Sequence, residues 1–489
     1  MQCKQITTFS AGGKGYPQEF QIPVTLEADE ARHLESGILN IYPDIRYQTI
    51  EGFGGAITET SAYLLSKMSP PVRKAALEDF FGEHGNHLKF LRVPMDSCDY
   101  SLEEYTAVED PLADPDLKTF SLKRDQMYLL PILKEAMALS KEPLSVLLSP
   151  WSPPACWKTP PAKPKNDPSV YGNLMEFMMP KVDYNTPSRC NGGSLKPEYY
   201  SSWAKYLVKF VDAYLAEGIP VTMMSIQNES IAATNWDSCV WTSGEQKSFL
   251  RNYLYPEFEA AGLIGKVGIY IWDHNKERIL EYADDIIDET TDKMVEGLAF
   301  HWYSGDHFEA VEIAGRKYPD KVLLMSECCG LHPPGRTGFF DFGDNSKMPE
   351  TVEFEDAVAY AHDMIGNLNA GMNRWIDWNI CVDKDGGPRH VPGGFTASMI
   401  VNDDGTYRKN LTYHFIGHFS KYIMPGAIRI GFSRCNDMVE VTAAKNPDGS
   451  IVTMLLNKHG EDQKYAIRIN GQIIRVSTPA RTLSTIVIA

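Results

Sequence analysis

Long apolar runs are missing from this sequence, and none approaches the ~20 residues that a membrane-spanning helix needs. The first residues, Met1–Thr8, contain no apolar core, so we expect neither a secretory signal peptide nor membrane insertion. Basic residues are outnumbered, with 47 Lys and Arg against 64 Asp and Glu. The net charge of −17 therefore argues against nucleic acid as a partner.

Paired cysteines and metal-binding motifs are also missing. Nine cysteines, an odd number without regular spacing, favour free thiols over a disulfide framework. Together with the absent leader, they predict a cytoplasmic protein. His414 and His418 have the spacing at which a helix presents two ligands to one metal, but no glutamate completes an HExxH pattern. We therefore expect a structural role for these two histidines.

What the chain does contain, from residue 48 to 410, is an alternation of short apolar runs and longer amphipathic stretches. This alternation is typical of an α/β fold with parallel strands. Eight runs of this kind suit a (β/α)8 TIM barrel, in which each unit takes about 30 residues. The eight predicted strands are Ile50–Gly55, Phe90–Met95, Ser145–Trp151, Val221–Glu229, Val267–Asp273, Leu298–Tyr303, Lys321–Glu327 and Trp375–Asn379. The apolar periodicity predicts helices over Trp203–Glu217 and Glu355–Gly371.

Both ends of the chain have a different pattern, with short β runs between turn signals. Residues 411–489 contain hairpin-like segments such as Ile451–Leu456, and residues 1–47 contain the alternating run Phe20–Leu26. We expect the two ends to build one β-sandwich beside the barrel of residues 48–410. Residues 160–197, rich in Pro, Lys and Asn, interrupt the α/β rhythm and predict an extended loop at the barrel mouth.

Two predicted strands end in a glutamate, Glu229 on the fourth and Glu327 on the seventh. The carboxyl ends of barrel strands face one cavity, where barrel enzymes place their catalytic groups. Two carboxylates facing one cavity are what the cleavage of a glycosidic bond requires. Either glutamate alone could equally be the partner of a buried arginine. The occurrence of both at matching strand ends favours catalysis.

Polar and aromatic residues near these glutamates complete a candidate sugar-binding cleft. Asn228 could hold a sugar hydroxyl group through its side-chain amide. Arg92 and Tyr303 could hydrogen-bond one carboxylate and keep it ionised, while burial and like charge keep the other protonated. Four aromatic residues at strand ends offer flat faces for a pyranose ring: Trp151, Trp302, Tyr303 and Trp378.

Eight short motifs follow one another along the chain: Glu51–Glu59, Leu91–Ser101, Ser149–Pro154, Gln227–Glu229, His301–Tyr303, Ser326–Glu327, Asp377–Asn379 and Tyr413–Lys421. In this order they resemble glycoside hydrolase family 30, in the branch that contains the glucosylceramidases. The resemblance covers nearly the whole length. It implies a (β/α)8 barrel with a side β-sandwich, hydrolysis with retention of configuration, and no metal or cofactor.

The resemblance also implies roles for individual residues. Glu229 would be the acid/base and Glu327 the nucleophile. Arg92 and His301 would support these carboxylates, and Tyr303 would both support the nucleophile and contact the substrate. The remaining residues implied to bind the sugar are Asp99, Trp151, Asn228 and Trp378.

Two positions depart from the family pattern. Ser230 follows Glu229 where the family usually has proline, which removes a fixed φ. The segment Gly386–Phe395 lacks the asparagine that touches the sugar in related glucosidases. Because this asparagine is missing, the sequence does not establish which sugar the protein prefers.

The sequence therefore predicts an exo-acting retaining β-glycosidase that takes a small-molecule β-glycoside, with β-glucosides as the first choice. β-Xylosides, β-fucosides and β-1,6-linked glucans are alternatives within the same family. From another class of protein, a catalytically silent carbohydrate-binding protein with the same cleft remains an alternative. Homo-oligomerisation is left open.

Overall fold

A computed structural model describes most of the chain: residues 3–9, 18–21, 27–28, 35–140, 143–163, 182–330 and 350–489. At its centre lies a closed barrel of eight parallel strands, and beside the barrel lies a ten-stranded sheet that contains strands from both chain ends. The predicted combination of a (β/α)8 barrel and a side β-sandwich is confirmed. None of the helices in the described ranges is long and apolar enough to cross a membrane.

The barrel strands follow one another in chain order, and the eighth closes on the first through the pairing of Arg374 with Gly52. Each strand overlaps one of the eight predicted runs. Inside the barrel, one apolar side chain from nearly every strand contributes to a packed layer that includes Phe90, Leu147, Met223 and Tyr270. The strands are Gly52–Ala56, Phe90–Met95, Ser145–Pro150, Val221–Ser225, Gly268–Asn275, Gly297–His301, Val322–Glu327 and Arg374–Asn379.

Helices surround the barrel, and their N-terminal residues explain where several of them begin. The Thr58 side chain accepts a hydrogen bond from the Ser61 N–H, and Thr242 and Glu245 form a reciprocal capping box. Both predicted helices are present, as Tyr200–Ala216 and Glu350–Asn369. The other α-helices within the described ranges are Glu59–Lys67, Pro70–Phe81, Leu129–Leu139, Ser243–Phe249, Tyr255–Ala260, Ile279–Ile286, Phe308–Lys317 and Leu411–Tyr422.

The two chain ends meet in the ten-stranded sheet. The strand Cys3–Phe9 pairs antiparallel with the last strand, Thr482–Ile488, from Cys3 opposite Ile488 to Phe9 opposite Thr482. The sheet has its own apolar core, to which Leu39, Ile467 and Ile486 belong. Its other strands are Gln18–Gln21, Glu27–Ala28, Ile38–Ile50, Ala427–Arg434, Glu440–Lys445, Ile451–Asn457, Gln463–Ile469 and Gln472–Thr478.

The predicted sandwich segment, 411–489, begins with the helix Leu411–Tyr422 rather than with a strand. This helix carries both histidines of the HxxxH spacing. The ring nitrogens of His418 lie 2.8 Å from the Thr8 hydroxyl and 2.7 Å from the Thr485 hydroxyl. Burial lowers the pKa of His418 to about 3, so the ring is neutral at pH 7. The contacts join the helix to the first and last strands, which fits the expected structural role.

Loops at the carboxyl ends of the barrel strands form the mouth. The predicted loop over 160–197 is described only at its two ends, 160–163 and 182–197. After the eighth barrel strand, the short strands Cys381–Asp383, Met399–Val401 and Tyr407–Lys409 form a small sheet. The loop between the first two of these strands lies beside the cleft and contains Arg389 and His390.

Candidate active site

The two glutamates lie at the same end of the barrel, as predicted. Glu327 is the last residue of the seventh strand, and Glu229 follows the fourth strand, which ends at Ser225. Both side chains are largely buried. Glu229 has a φ of 50°, which non-glycine residues adopt rarely, and its N–H donates to the Asp273 carbonyl at 2.8 Å. This backbone bond ties the Glu229 segment to the fifth strand.

Ser230, the departure from the family's usual proline, is fully buried and has two hydrogen-bond partners. Its hydroxyl donates to the Trp272 carbonyl at 3.0 Å and accepts from Gln246 Nε2 at 2.9 Å. The chain after Glu229 is therefore fixed by hydrogen bonds instead of by a proline ring.

Arg92, on the second strand, connects the strand ends around the cavity. Its guanidinium donates to Glu327, to Asn228 Oδ1 at 2.8 Å and to Asp273 Oδ2 at 2.9 Å. The side chain is completely buried. A buried guanidinium with several acceptors is a rigid anchor, since it cannot deprotonate and its hydrogen bonds to carboxylates are charge-assisted.

Glu327 receives a second hydrogen bond. The Tyr303 hydroxyl donates to Glu327 Oε1 at 2.8 Å, so both oxygens of this carboxylate have a donor. Hydrogen bonds to a carboxylate favour its ionised form. The contacts of Arg92 and Tyr303 with one carboxylate, expected from the sequence, are present.

His301 lies between the two glutamates. Its Nδ1 atom is 3.5 Å from Glu229 Oε1 and 4.0 Å from Glu327 Oε1. Its Nε2 atom lies 3.0 Å from Asp273 Oδ1. Burial lowers the pKa of His301, but the surrounding carboxylates outweigh burial and raise it to about 9. The site therefore holds a cationic imidazole next to both carboxyl groups.

The two carboxyl groups both lie near His301 Nδ1 and influence each other's protonation. Burial raises the pKa of Glu327, and the Glu229 carboxylate raises it too, while His301 and Arg92 lower it, with a net upward shift. Burial also opposes ionisation of Glu229, but His301 and His274 outweigh it, so the pKa of Glu229 is lowered. The histidines thus favour negative charge on Glu229.

An aromatic platform lies next to the carboxylates. Trp151 and Trp378 stack with ring centroids 5.2 Å apart and an interplanar angle of 25°. The Arg92 guanidinium lies 4.8 Å from the first ring and 5.4 Å from the second. Tyr303 packs against the same cluster, as expected. Trp302 does not: it packs on Tyr360, at 5.0 Å, away from the platform.

Asp99 lies at the edge of this cluster and is buried. Its carboxylate pairs with Arg389 of the loop after the eighth strand, with 3.2 Å between Oδ2 and Nη2. Burial raises the pKa of Asp99 to about 6, even though Arg389 opposes the shift. Asp99, Trp151, Asn228 and Trp378 are thus brought together around the two glutamates.

The sequence interpretation missed Asp273, which contacts three parts of the site. Its carboxylate binds Arg92 and His301 and accepts from Ser326 Oγ at 2.5 Å. Burial raises the pKa of Asp273, but Arg92 and His301 outweigh it and lower it. The signal was available, because Asp273 ends the fifth apolar run as the glutamates end the fourth and seventh.

One group of side chains near the mouth has donor atoms suited to a metal. Atoms of Cys190, Asp237 and His390 lie within 4.8 Å of one another. The Arg189 guanidinium already neutralises Asp237, with Nε 2.9 Å from Oδ1, and His390 Nε2 lies 3.0 Å from Oδ2. The raised pKa of His390 favours its cationic form, because Asp237 outweighs the opposing effect of burial. We therefore interpret the group as an ion-pair network that joins three loops.

Comparisons with known protein families agree with this geometry. The profile of the glycosyl hydrolase family 30 TIM-barrel domain matches residues 50–174 and 183–423. The profile of the family's beta sandwich domain matches residues 426–486.

Individual proteins show the same similarity. Lysosomal acid glucosylceramidase of Mus musculus is 30% identical over 470 residues, which cover 91% of this chain and 82% of the mouse protein. The crystal structure of SrfJ from Salmonella typhimurium is 30% identical and superposes with a TM-score of 0.86, over 100% of this chain and 99% of SrfJ. The endo-β1,6-glucanase BT3312 is 25% identical, with a TM-score of 0.81 over 100% and 99% of the two chains.

Proposed function

This chain belongs to glycosyl hydrolase family 30, and we propose that it is an exo-acting retaining β-glycosidase whose preferred substrates are small β-glucosides. The observation that carries the proposal is the placement of Glu229 and Glu327 on either side of His301, at the ends of the fourth and seventh strands. The similarity to the mouse lysosomal acid glucosylceramidase supports glucose as the sugar.

In the proposed mechanism, Glu327 attacks the anomeric carbon and forms a covalent glycosyl-enzyme. Arg92 and Tyr303 hold both of its oxygens, so the attacking carboxylate has a fixed position. Glu229 protonates the departing oxygen and then removes a proton from the water that releases the sugar. Both steps use the same two carboxyl groups, with retention of configuration.

The proton must reside on Glu229 and the charge on Glu327 when the glycosidic bond breaks. Burial opposes ionisation of both groups; the neighbouring histidines outweigh it at Glu229 and lower the pKa there, whereas the net shift of the Glu327 pKa is upward. The direct hydrogen bonds of Arg92 and Tyr303 stabilise the negative charge on Glu327. The cationic ring of His301 disfavours protonation of Glu229.

The glycone would bind against the Trp151–Trp378 platform, with Asn228 and Asp99 as polar contacts. Asn228 Oδ1 accepts from Arg92, so the amide N–H groups of Asn228 are the atoms that would donate to a sugar oxygen. An apolar platform with a few fixed polar groups is the usual composition of a sugar pocket.

A β-1,6-linked glucan is the second candidate substrate, since a solved endo-β1,6-glucanase resembles this chain over its whole length. Cleavage within a glucan needs an open cleft on both sides of the carboxylates. An exo-acting enzyme instead closes the glycone end, and the buried Asp99–Arg389 pair beside the platform favours such a closed end.

The test is a panel of nitrophenyl β-glucoside, β-xyloside and β-fucoside, together with an end-labelled β-1,6-glucan oligosaccharide. We expect the highest kcat/KM on the β-glucoside and release of single glucose units from the oligosaccharide. Larger internal fragments would favour the glucanase instead. Folded protein that releases no nitrophenol from any glycoside would contradict the proposal and leave a carbohydrate-binding protein.

The variant His301→Gln should shift the bell-shaped pH dependence of kcat/KM to higher pH, by about one unit. A cation lowers the pKa of a neighbouring carboxyl group, so its removal raises the pKa of both Glu229 and Glu327. The two limbs report the two titrations of this carboxyl pair, so both limbs move upward. The exposed His459→Gln is the control and should leave the profile unchanged; an unchanged profile in His301→Gln would contradict the charge argument.

A further inference from the structure

Arg389 is a buried cation without a fully occupied set of hydrogen-bond partners. Its side chain is 5% exposed. The guanidinium carbon lies 4.7 Å from the Tyr100 ring centroid and 5.8 Å from that of Phe395, so aromatic rings hold the group in place. Among the described residues, Arg389 Nε has no hydrogen-bond partner. Buried donors are rarely left unpaired, and an exception calls for an explanation.

Both chain neighbours of Arg389 are held by contacts with other parts of the barrel mouth. The Pro388 carbonyl accepts a hydrogen bond from the Thr60 hydroxyl. His390 lies 3.3 Å from the Ser101 carbonyl through Nδ1 and 3.0 Å from Asp237 through Nε2. Arg389 is thus presented by an anchored loop, which gives its guanidinium a defined position relative to the barrel.

Arg389 and Asp99 together present a donor and an acceptor side by side. Arg389 Nη2 approaches Asp99 Oδ2 at 3.2 Å, while Nε of the same guanidinium is buried and has no hydrogen-bond partner among the described residues. A carboxylate oxygen has more than one lone pair and can accept a further hydrogen bond. A hydroxyl group can bind to the donor and to the acceptor at once, because it accepts from the arginine and donates to the carboxylate.

The pair lies beside the proposed sugar platform. The Tyr100 ring, which stacks on Arg389, also contacts the Trp378 ring edge-on at a centroid distance of 6.0 Å. Asp99 is close enough to Glu327 for the two carboxylates to repel each other. The pair therefore lies next to the platform against which the glycone is proposed to bind.

We propose that Arg389 determines specificity by binding one hydroxyl group of the glycone, the C4 or the C6 hydroxyl, through its Nε–H while Asp99 accepts from the same group. The inference rests on the proposed β-glycosidase function and adds to it. Arg389 lies in the loop where related glucosidases carry an asparagine, so recognition in this chain would use a charged donor in place of a neutral amide.

The test compares kcat/KM for nitrophenyl β-glucoside with that for its 4-deoxy and 6-deoxy counterparts, in wild type and in Arg389→Lys. Lysine keeps the positive charge beside Asp99 but has no Nε–H in that position. In wild type, removal of the recognised hydroxyl should lower kcat/KM by about 100-fold or more, because polar groups of the site then lose their partner. In Arg389→Lys the same removal should change it less than about 10-fold.

Arg374→Gln is the matched control. Arg374 is also a largely buried, ion-paired arginine, bound to Glu51 at 2.7 Å at the opposite end of the barrel. Its replacement should leave the ratio between the glucoside and each deoxy sugar unchanged.

Equal ratios in wild type and Arg389→Lys at both positions would overturn the specificity role. If Arg389→Lys is unstable, Asp99→Asn provides a second measurement, since it replaces one of the two acceptor oxygens by an N–H donor and should reduce the same ratio. Equal ratios in that variant would likewise overturn the role. A wild-type protein that cleaves no β-glycoside would instead contradict the proposed function, so the two failures are distinguishable.

Discussion

Replacement of Glu327 by glycine is expected to lower turnover of an aryl β-glycoside by about 10⁴-fold or more, as seen when a covalent nucleophile is removed. The variant lacks the oxygen that would bond to the anomeric carbon, so the glycosyl-enzyme cannot form. Initial rates on nitrophenyl β-glucoside measure the loss. Wild-type turnover in this variant would contradict the mechanism.

Azide can occupy the space left by the missing carboxylate and attack the anomeric carbon from the same face. Rescue of Glu327→Gly by azide should therefore give an α-glycosyl azide, which NMR spectroscopy of the product identifies. A β-glycosyl azide from this variant would mean that Glu327 is not the nucleophile.

Stability must be checked in the same variant, because Glu327 partners a completely buried arginine. Loss of one partner of a buried ion pair commonly destabilises a protein by about 3–5 kcal/mol. Arg92 retains Asp273 and Asn228, which limits the loss here. Glu327→Gln, which keeps an acceptor for Arg92, should be inactive while unfolding near the wild-type temperature.

The barrel and its two glutamates could be predicted because the signals were local. Short apolar runs alternate with amphipathic helices, and the family's ordered motifs fix the register of the strands. Glu327 ends its strand in sequence and in structure. Both chain ends have the same β pattern, which predicted that they form one sheet. In the structure, the strand Cys3–Phe9 pairs with the strand Thr482–Ile488.

The contacts that complete the site depend on loops, and their geometry could not be predicted from local patterns. The left-handed backbone of Glu229 has no signature in its own sequence, since it arises from a hydrogen bond to Asp273 on the next strand. Arg389 reaches Asp99 across the barrel mouth, between residues far apart in the chain. Asp237 and Arg189 likewise form an ion pair between residues that are far apart in the chain. The residue roles and the cytoplasmic location stay predictions.

Glu229→Gly should show a loss that depends on the leaving group. A dinitrophenolate departs without protonation, so formation of the glycosyl-enzyme from a dinitrophenyl β-glucoside should be nearly normal. An alkyl leaving group needs the proton of Glu229, and its glycosides should lose about 10²–10⁴-fold in kcat/KM. Hydrolysis of the glycosyl-enzyme also lacks its general base, so the dinitrophenyl substrate should give a burst followed by slow turnover. Stopped-flow absorbance resolves both phases.

Azide separates the role of Glu229 from that of Glu327. In Glu229→Gly the covalent intermediate at Glu327 is already formed, and azide enters from the side of the missing acid/base. The product is then a β-glycosyl azide, of opposite configuration to the product expected from Glu327→Gly. Each variant is the control for the other, because both remove one buried carboxylate next to His301. Equal losses for dinitrophenyl and alkyl glucosides in Glu229→Gly would contradict its assignment as the acid, since only a proton donor makes the rate depend on the leaving group.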